Sequence, residues 1–488
     1  MALDYGAVIA GRYSQFLLGG ALTTLELTAA AWIGAVPLSM VVTGLRTSPS
    51  CLARAVAVTY VEYHRSVPLL VQLFVWYFAI SELLPAALNR IVNEWNSEFL
   101  FAAVALLLYS AAYMSEDLRS GLRSIPPGQY EASRALGLGR IRTLRLVILP
   151  QAWRAALPPL VNQALILFKG TSLASMIGVA ELTYQARQIE SQTFRPFEAF
   201  SVVTLIYLVG RSASCRQGAG LRAARGSWGT DVLDIILTYG RLLLLGGFPR
   251  GPLGGLAMTL VLSACCLVLT FPLATGVALA RASRRPALVR ACVAYLYAVR
   301  AMPLLLLIFW VYYVLPFATG ITLSPFATML ISLTVFQSAY LSEVIRAAVE
   351  ALPRGQRDAA AALGLGYWVT TFRVVLPQAL VNCIPGILSQ FVLLIKETAL
   401  GYVITFNEIT YSANQLNSIL LVKPIEIFAV LALSYFVVCS GLSRCSVLLE
   451  RRLSLRAART SRPAPRAGLR LRALLGQTRQ ACSPQGEN

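Results

Sequence analysis

Along this chain, long apolar runs alternate with short stretches where charge and glycine are concentrated. The first run extends from Leu18 to Thr43 and the second from near Ala55 to about Ile80. The third covers Phe99 to about Ser115, the fourth about Leu157 to Val179, and the fifth about Phe197 to Gly210. A helix of roughly 20 residues crosses the ~30 Å hydrocarbon core of a bilayer, so these runs predict membrane-spanning helices. The stretch from Asp4 to Leu17 mixes Asp4, Arg12 and Gln15 with apolar residues and predicts a short interfacial helix.

The same order returns further along. LGGALTTLELTAAAW from Leu18 matches LGGLAMTLVLSACCL from Leu253, Pro37 matches Pro272, and HRSVPLL from His64 matches VRAMPLL from Val299, all at an offset of 235 residues. Beyond the next loop the offset is 227, pairing Tyr113 with Tyr340, Glu116 with Glu343, Arg119 with Arg346 and Lys169 with Lys396. The register changes within one loop, where insertions are tolerated, and leaves the spans intact. The fold class is therefore all-α: a polytopic membrane protein of two tandem five-helix units.

Composition agrees. With 488 residues, 57% hydrophobic, 13% charged and mean hydropathy +0.65, the chain has too little polar surface for an ordinary soluble protein. Its net charge of +20 comes from arginines lying between apolar runs and in the tail, where the positive-inside rule puts them, and no nucleic-acid reading motif accompanies them. The Arg-rich segment from Glu116 to Arg154 is expected on the cytoplasmic side, and the loop holding Glu82, Asn89, Arg90, Glu94 and Glu98 outside. Nine cysteines and the single histidine, His64, show no metal-ligand spacing, so neither a metal nor a cofactor is expected, and His64 reads as incidental. The N-terminus, MALDYGAVIAGRYSQF, lacks the basic region and cleavage site of a secretory signal, so the first span is expected to remain.

These signals divide the chain into a first unit, 1–212, a linker, 213–230, a second unit, 231–450, and a basic disordered cytoplasmic tail, 451–488. Five spans per unit leave one crossing unaccounted for if both basic loops face the same side. Two readings remain: an additional crossing at 232–247, which carries Asp234 and Arg241, or a truncated fifth span left by a frame-shifted join.

One basic stretch occurs twice, as EASRALGLGRIRTLRLVILP from Glu131 to Pro150 and DAAAALGLGYWVTTFRVVLP from Asp358 to Pro377. Alanine and leucine favour a short helix, glycine ends it, and proline marks the start of the next element. The acidic residue in the first turn suits the positive end of the helix dipole. Equal glycine-to-proline spacing in both copies points to a helix that fits a partner's groove, beyond a simple orientation signal.

This pattern resembles the "EAA" coupling loop of permease subunits of bacterial ABC importers. It stands as Glu131, Ala132, Ser133, Gly137, Val147, Leu149 and Pro150, and again as Asp358, Ala359, Ala360, Gly364, Val374, Leu376 and Pro377. Ser133, Asp358 and the two valines depart mildly from it. Arg-x-x-Pro-Leu-Leu at Arg65 and Arg300, Ala-Tyr-x-x-Glu-x-x-Arg at Ala112 and Ala339, and Lys-x-Thr-x-Leu at Lys169 and Lys396 resemble the polar amino acid uptake group. The resemblance implies a multi-pass permease of the bacterial inner membrane, importing a polar or charged L-amino acid. Two ATPase subunits would dock on the coupling loops and a periplasmic solute-binding protein would deliver substrate. The chain has no GxxxxGK[ST] loop, so it is expected to be a transport subunit, not an enzyme. An ion-coupled secondary transporter is the alternative for a repeated membrane chain; it would need midplane carboxylates, and the spans of the first unit offer chiefly Glu26 and Glu62.

Lys169 and Lys396 are two of only three lysines and occupy equivalent positions well inside apolar runs. An ammonium there must face a cavity or a partner, so each is a candidate for the substrate carboxylate or for a structural pair with Glu116, Glu343 or Glu397. Glu397 has Gly170 as its counterpart, which predicts an asymmetric pathway. Arg65 and Arg300, beside Pro68 and Pro303, are candidate gate or interfacial residues. Glu116 with Arg119, and Glu343 with Arg346, are spaced as helical i,i+3 pairs.

Overall fold

The computed structural model describes residues 3–94, 96–213, 239–283, 285–353, 355–420 and 423–460. Apart from one isolated bridge between Gly246 and Leu253, the described secondary structure is helical. After a single turn at Gly6–Ile9, the first half comprises α1 (Arg12–Thr47), α2 (Cys51–Ser66), α3 (Leu69–Leu83), a short loop helix at Ala86–Glu94, α4 (Ser97–Arg123) and α5 (Pro127–Ala135). It continues as α6 (Arg140–Ile177), α7 (Leu182–Thr193) and α8 (Pro196–Ala213). The second half repeats the order as α9 (Gly255–Arg281), α10 (Pro286–Ala301), α11 (Leu304–Thr319), α12 (Pro325–Glu350) and α13 (Gly355–Ala362). Its last elements are α14 (Tyr367–Ile404), α15 (Ile409–Leu420) and α16 (Pro424–Thr460).

Several expectations change. The interfacial stretch is reduced to one turn, because helical periodicity resumes at Arg12 and carries Arg12 to Leu17 into α1. The second span is broken: α2 and α3 meet at 108° and α10 and α11 at 105°. Proline causes both breaks, since Pro68 and Pro303 lack an N–H and push the preceding Val67 and Met302 into extended backbone. Arg65 and Arg300 therefore lie just before a bend within the span. His64, read as incidental, is buried at that bend; its Nδ1 lies 2.6 Å from Gln72 Oε1, while Gln72 Nε2 donates to the carbonyls of His64 and Val67. The helix α16 runs to Thr460, ten residues into the stretch expected to be a disordered tail. The rest of that tail and residues 214–230 of the linker lie outside the described residues, as do residues 232–238 of the candidate extra crossing; residues 239–245 are helical.

The halves interlock through their last helices. Phe428 of α16 packs against Phe74 and Phe78 of α3, with ring centroids 5.7 and 5.5 Å apart. Reciprocally, Phe200 of α8 packs against Phe309 and Tyr313 of α11, at 5.5 and 6.0 Å. Lipid offers apolar side chains as much as a partner helix does, so such contacts and interhelical hydrogen bonds carry the association. Four aromatic pairs at about 0.5–1.5 kcal/mol each are a substantial part of it.

The two paired loops share one face. A recess of about 540 Å³ is lined by Arg46 and Glu116 of the first half and by Ser443 and Val447 near the end of α16. Arg46 ends the span that is two crossings before α5, and Ser443 lies two crossings after α13. Both loops thus emerge on the side of this recess. Gly255 begins α9 at the opposite end from Arg281.

Candidate functional site: the seam between the halves and the paired loops

The central seam is built by exchange. Lys396 Nζ lies 2.8 Å from the carbonyl oxygen of Arg65 and 3.1 Å from Tyr113 Oη, both in the other half. Lys169 Nζ lies 3.0 Å from the Arg300 carbonyl and 3.4 Å from Tyr340 Oη. The bend supplies the acceptor, because an Arg carbonyl at a helix end before proline is released from its intrahelical partner. Each lysine thus satisfies the other half's broken span. The expected carboxylate partners Glu116 and Glu343 are engaged elsewhere.

Glu116 is the acceptor for arginines of three helices: Arg46 of α1, Arg119 at 3.4 Å and Arg65 at 3.8 Å. Glu343 repeats this with Arg281 of α9, Arg346 at 2.8 Å and Arg300 at 4.0 Å. The i,i+3 pairs form as expected; the arginines ending α1 and α9 were not foreseen, although Arg46 and Arg281 share the 235-residue offset. Arg65 and Arg300 also lie over Tyr113 and Tyr340, at 5.9 and 5.1 Å from the ring centroids. A continuous chain of contacts therefore links each bend, one lysine and one carboxylate.

Between the halves is a cavity of about 320 Å³ whose walls include Lys169, Lys396, Glu397, Tyr109, Tyr113 and Tyr340. Its symmetry is incomplete. Glu397 accepts a 2.5 Å hydrogen bond from Gln337 Nε2, whereas its counterpart Gly170 offers no side chain and packs near Leu69 and Leu106. Tyr109 faces Phe336 across the repeat, and Ser110 replaces Gln337. Among the described residues lining it, Glu397 is the one carboxylate.

Sequence reading missed a second symmetric pair. Glu181 is buried, accepts hydrogen bonds from the backbone amides of Thr183 and Tyr184 at 2.9 and 2.8 Å, and from Tyr207 Oη at 3.1 Å. Glu408 repeats this with Tyr411 N at 2.8 Å and Tyr435 Oη at 3.1 Å. These carboxylates cap α7 and α15 and anchor them to α8 and α16. The 227-residue offset between Glu181 and Glu408 is the signal that could have found them.

The paired loops match in backbone as well as sequence. In α5, Leu138 N donates to Ser133 O at 3.1 Å and Gly137 N to Arg134 O at 3.0 Å; in α13, Leu365 N donates to Ala360 O at 3.0 Å and Gly364 N to Ala361 O at 2.9 Å. This is a Schellman ending, which needs a left-handed residue, and Gly137 and Gly364 have φ of +76° and +71°. Ser133 and Ala360 are buried, seating each helix against the body. Glu131, Ala132, Asp358 and Ala359 are exposed along the short helices. Pro150 and Pro377 stand at the second position of the α-helical stretches Leu149–Gly170 and Leu376–Glu397, where an N–H is not required. Gln151 reaches Gln129 at 3.2 Å, and Gln378 reaches Gln356 at 3.4 Å, tying helix to span in both copies.

On both sides of each glycine the loops expose large apolar side chains. Leu136 and Ile141 are 80% and 82% exposed, and Leu363 and Trp368 78% and 63%. Paired apolar knobs on one face suit insertion into a protein partner.

The family model described as "Binding-protein-dependent transport system inner membrane component" matches this chain twice, over residues 35–214 and 271–455. The chain is 33% identical over 201 residues to the glutamate/aspartate import permease protein GltJ of Escherichia coli (strain K12), covering 40% of this chain and 82% of that protein. It is 39% identical over 193 residues to the glutamine transport system permease protein GlnP of the same strain, covering 40% of this chain and 85% of that protein. A solved structure titled "Crystal structure of an amino acid ABC transporter with histidines" matches 44% of this chain and 94% of that chain at 32% identity, with a TM-score of 0.39.

Proposed function

Because the chain belongs to the family of binding-protein-dependent transport system inner membrane components and holds two such units, we propose that it forms, alone, the translocation pathway of an ATP-driven importer for a polar or charged L-amino acid. It is a transport subunit and not an enzyme. Its setting is the bacterial inner membrane, with α5 and α13 on the cytoplasmic side. Two ATPase subunits dock there, one on each coupling helix, and a periplasmic solute-binding protein delivers substrate to the opposite face.

The observation that carries this reading is the duplicated coupling geometry: two helices ended by left-handed Gly137 and Gly364, each exposing apolar side chains on one common face. A partner gripping both can move the halves relative to each other, and beside the cavity their seam is closed by directional bonds at Lys169 and Lys396. Breaking those bonds opens the 320 Å³ cavity toward the recess holding Arg65 and Glu116. Lys169, Lys396 and Glu397 line the pathway; Arg65, Arg300, Glu116 and Glu343 form its inner gate.

The deciding experiment reconstitutes the chain in vesicles with and without a co-expressed ATPase of this transporter class. Uptake that requires the ATPase and internal ATP, and survives an ionophore, supports the reading. Uptake that runs without the ATPase and collapses with the ion gradient assigns the chain to ion-coupled transport instead.

A further inference from the structure

Beside the first coupling helix lies a recess of about 580 Å³ on the same face, with walls including Arg46, Arg54, Arg119, Arg123 and Tyr130. Arg46 and Arg119 share the single carboxylate Glu116. Arg54 and Arg123 have no carboxylate within ion-pair distance among the described residues, and both are exposed. Four guanidinium groups thus line the recess and only two of them share a carboxylate, leaving a local excess of positive charge. Apolar Val58, Leu122 and Ile125 complete the walls.

The second half has not kept this arrangement. At the position of Arg54 it has Val289, and at that of Arg123 it has Glu350. There Arg346 is bound by both Glu343 and Glu350, at 2.8 and 2.6 Å, so the equivalent region carries a smaller positive excess, even with Arg357 at the position of Tyr130. The excess charge therefore does not follow from the repeated fold, since the second half forms the same helices with less of it.

We propose that this recess binds a phosphate group, carried by an anionic phospholipid of the inner leaflet or by a soluble phosphate. Guanidinium forks match phosphate oxygens in bidentate geometry, and basic pockets between helices at the cytoplasmic surface suit anionic headgroups. The apolar wall fits the start of an acyl chain. Tyr130 brings the bound group against the first coupling helix alone, which makes the two docking positions chemically unequal. The binding readout is independent of what the chain transports.

The test uses the purified full-length chain in nanodiscs and in detergent, titrated with phosphatidylglycerol, phosphatidylcholine and inorganic phosphate, and read by native mass spectrometry and thermal shift. Phosphatidylglycerol is expected to be retained in preference to phosphatidylcholine. The Arg54→Val/Arg123→Glu variant, which installs the second half's own residues, is expected to weaken retention by about tenfold or more. The Arg285→Gln/Arg290→Gln variant, with the same number of arginines removed elsewhere on that face, is expected to bind like the parent. Displacement of the lipid by millimolar phosphate assigns a soluble source, and resistance to it assigns the lipid. Equal retention by parent and Arg54→Val/Arg123→Glu, or no preference for the anionic lipid, overturns the proposal. Should the double variant fail to insert, Arg123→Glu alone gives Arg119 the i,i+4 carboxylate that Arg346 already has, and unchanged lipid retention in it is equally fatal.

Discussion

The ammonium nitrogen of Lys396 lies 2.8 Å from the carbonyl oxygen of Arg65, a residue of the opposite half and 331 positions away in the chain. Together with Lys169 on Arg300, it joins the halves at the two points where their bent spans expose a backbone acceptor. A hydrogen bond to a charged group contributes about 1.5–3 kcal/mol net, enough to hold a seam and little enough for a partner to break. Lys169→Met and Lys396→Met are accordingly expected to lower ATP-driven uptake about tenfold or more while leaving membrane insertion and complex yield near parental levels. Parental uptake in both variants would remove the lysines from the pathway.

Glu116 and Glu343 differ in how well their arginines are backed up. Arg346 retains Glu350 when Glu343 is lost, whereas Arg46, Arg65 and Arg119 converge on Glu116. Glu116→Gln is expected to cost roughly 1–3 kcal/mol, and Glu343→Gln distinctly less. Thermal unfolding of the two variants in the same detergent measures the order; a larger loss for Glu343→Gln contradicts it.

In the proposed function, α5 and α13 dock on the ATPase through the exposed Leu136 and Leu363. Aspartate at either position is expected to weaken ATPase association by at least about tenfold, since a central apolar anchor is typically worth about 2 kcal/mol or more. Gly137→Val and Gly364→Val act differently, forcing a β-branched residue into left-handed backbone at about 1–2 kcal/mol and turning the helix end away from its partner. Surface-immobilised ATPase titrated with each variant gives the affinities, and wild-type binding by Leu136→Asp together with Leu363→Asp rules out these contacts.

Substrate charge is set at Glu397 in this reading. Glu397→Gln leaves the contact with Gln337 possible but removes the one negative wall, so competition between lysine and glutamate for uptake is expected to shift toward glutamate. Gly170→Glu, which gives the first half its own carboxylate, is expected to shift it the other way. Competition ratios unaltered by both substitutions would place selection elsewhere, for example on the delivering protein.

The repeat made much of this legible. Equal spacing from Gly137 to Pro150 and Gly364 to Pro377 and the twin lysines follow from aligning the chain with itself and take their places in the structure. Of five expected spans per half, the second is bent in both and the fifth of the first half is a shorter helix, which leaves seven long apolar spans among the described residues, or nine with each bent pair taken as one. Hydropathy could not show the 108° break at Pro68, because a stretch long enough to mark a span averages the polar residues from Glu62 to Ser66 with the apolar run that follows Pro68. Nor could it show partners brought from the other half: Tyr113 and the Arg65 carbonyl are ordinary in sequence until the fold sets Lys396 against them. Glu181 and Glu408 were legible but unread, being single acidic residues in polar-looking segments whose meaning lies in Tyr207 and Tyr435.

Glu397 has no twin, and a chain that carries both halves can keep it so. In a complex assembled from two identical copies, a carboxylate gained by one wall is gained by both, and a fixed charge cannot be placed opposite an empty position. Covalent union frees each lining position to drift independently of its partner. One wall can be tuned to a new cargo while the facing wall, and both of the short helices proposed to meet the ATPase, stay as they were.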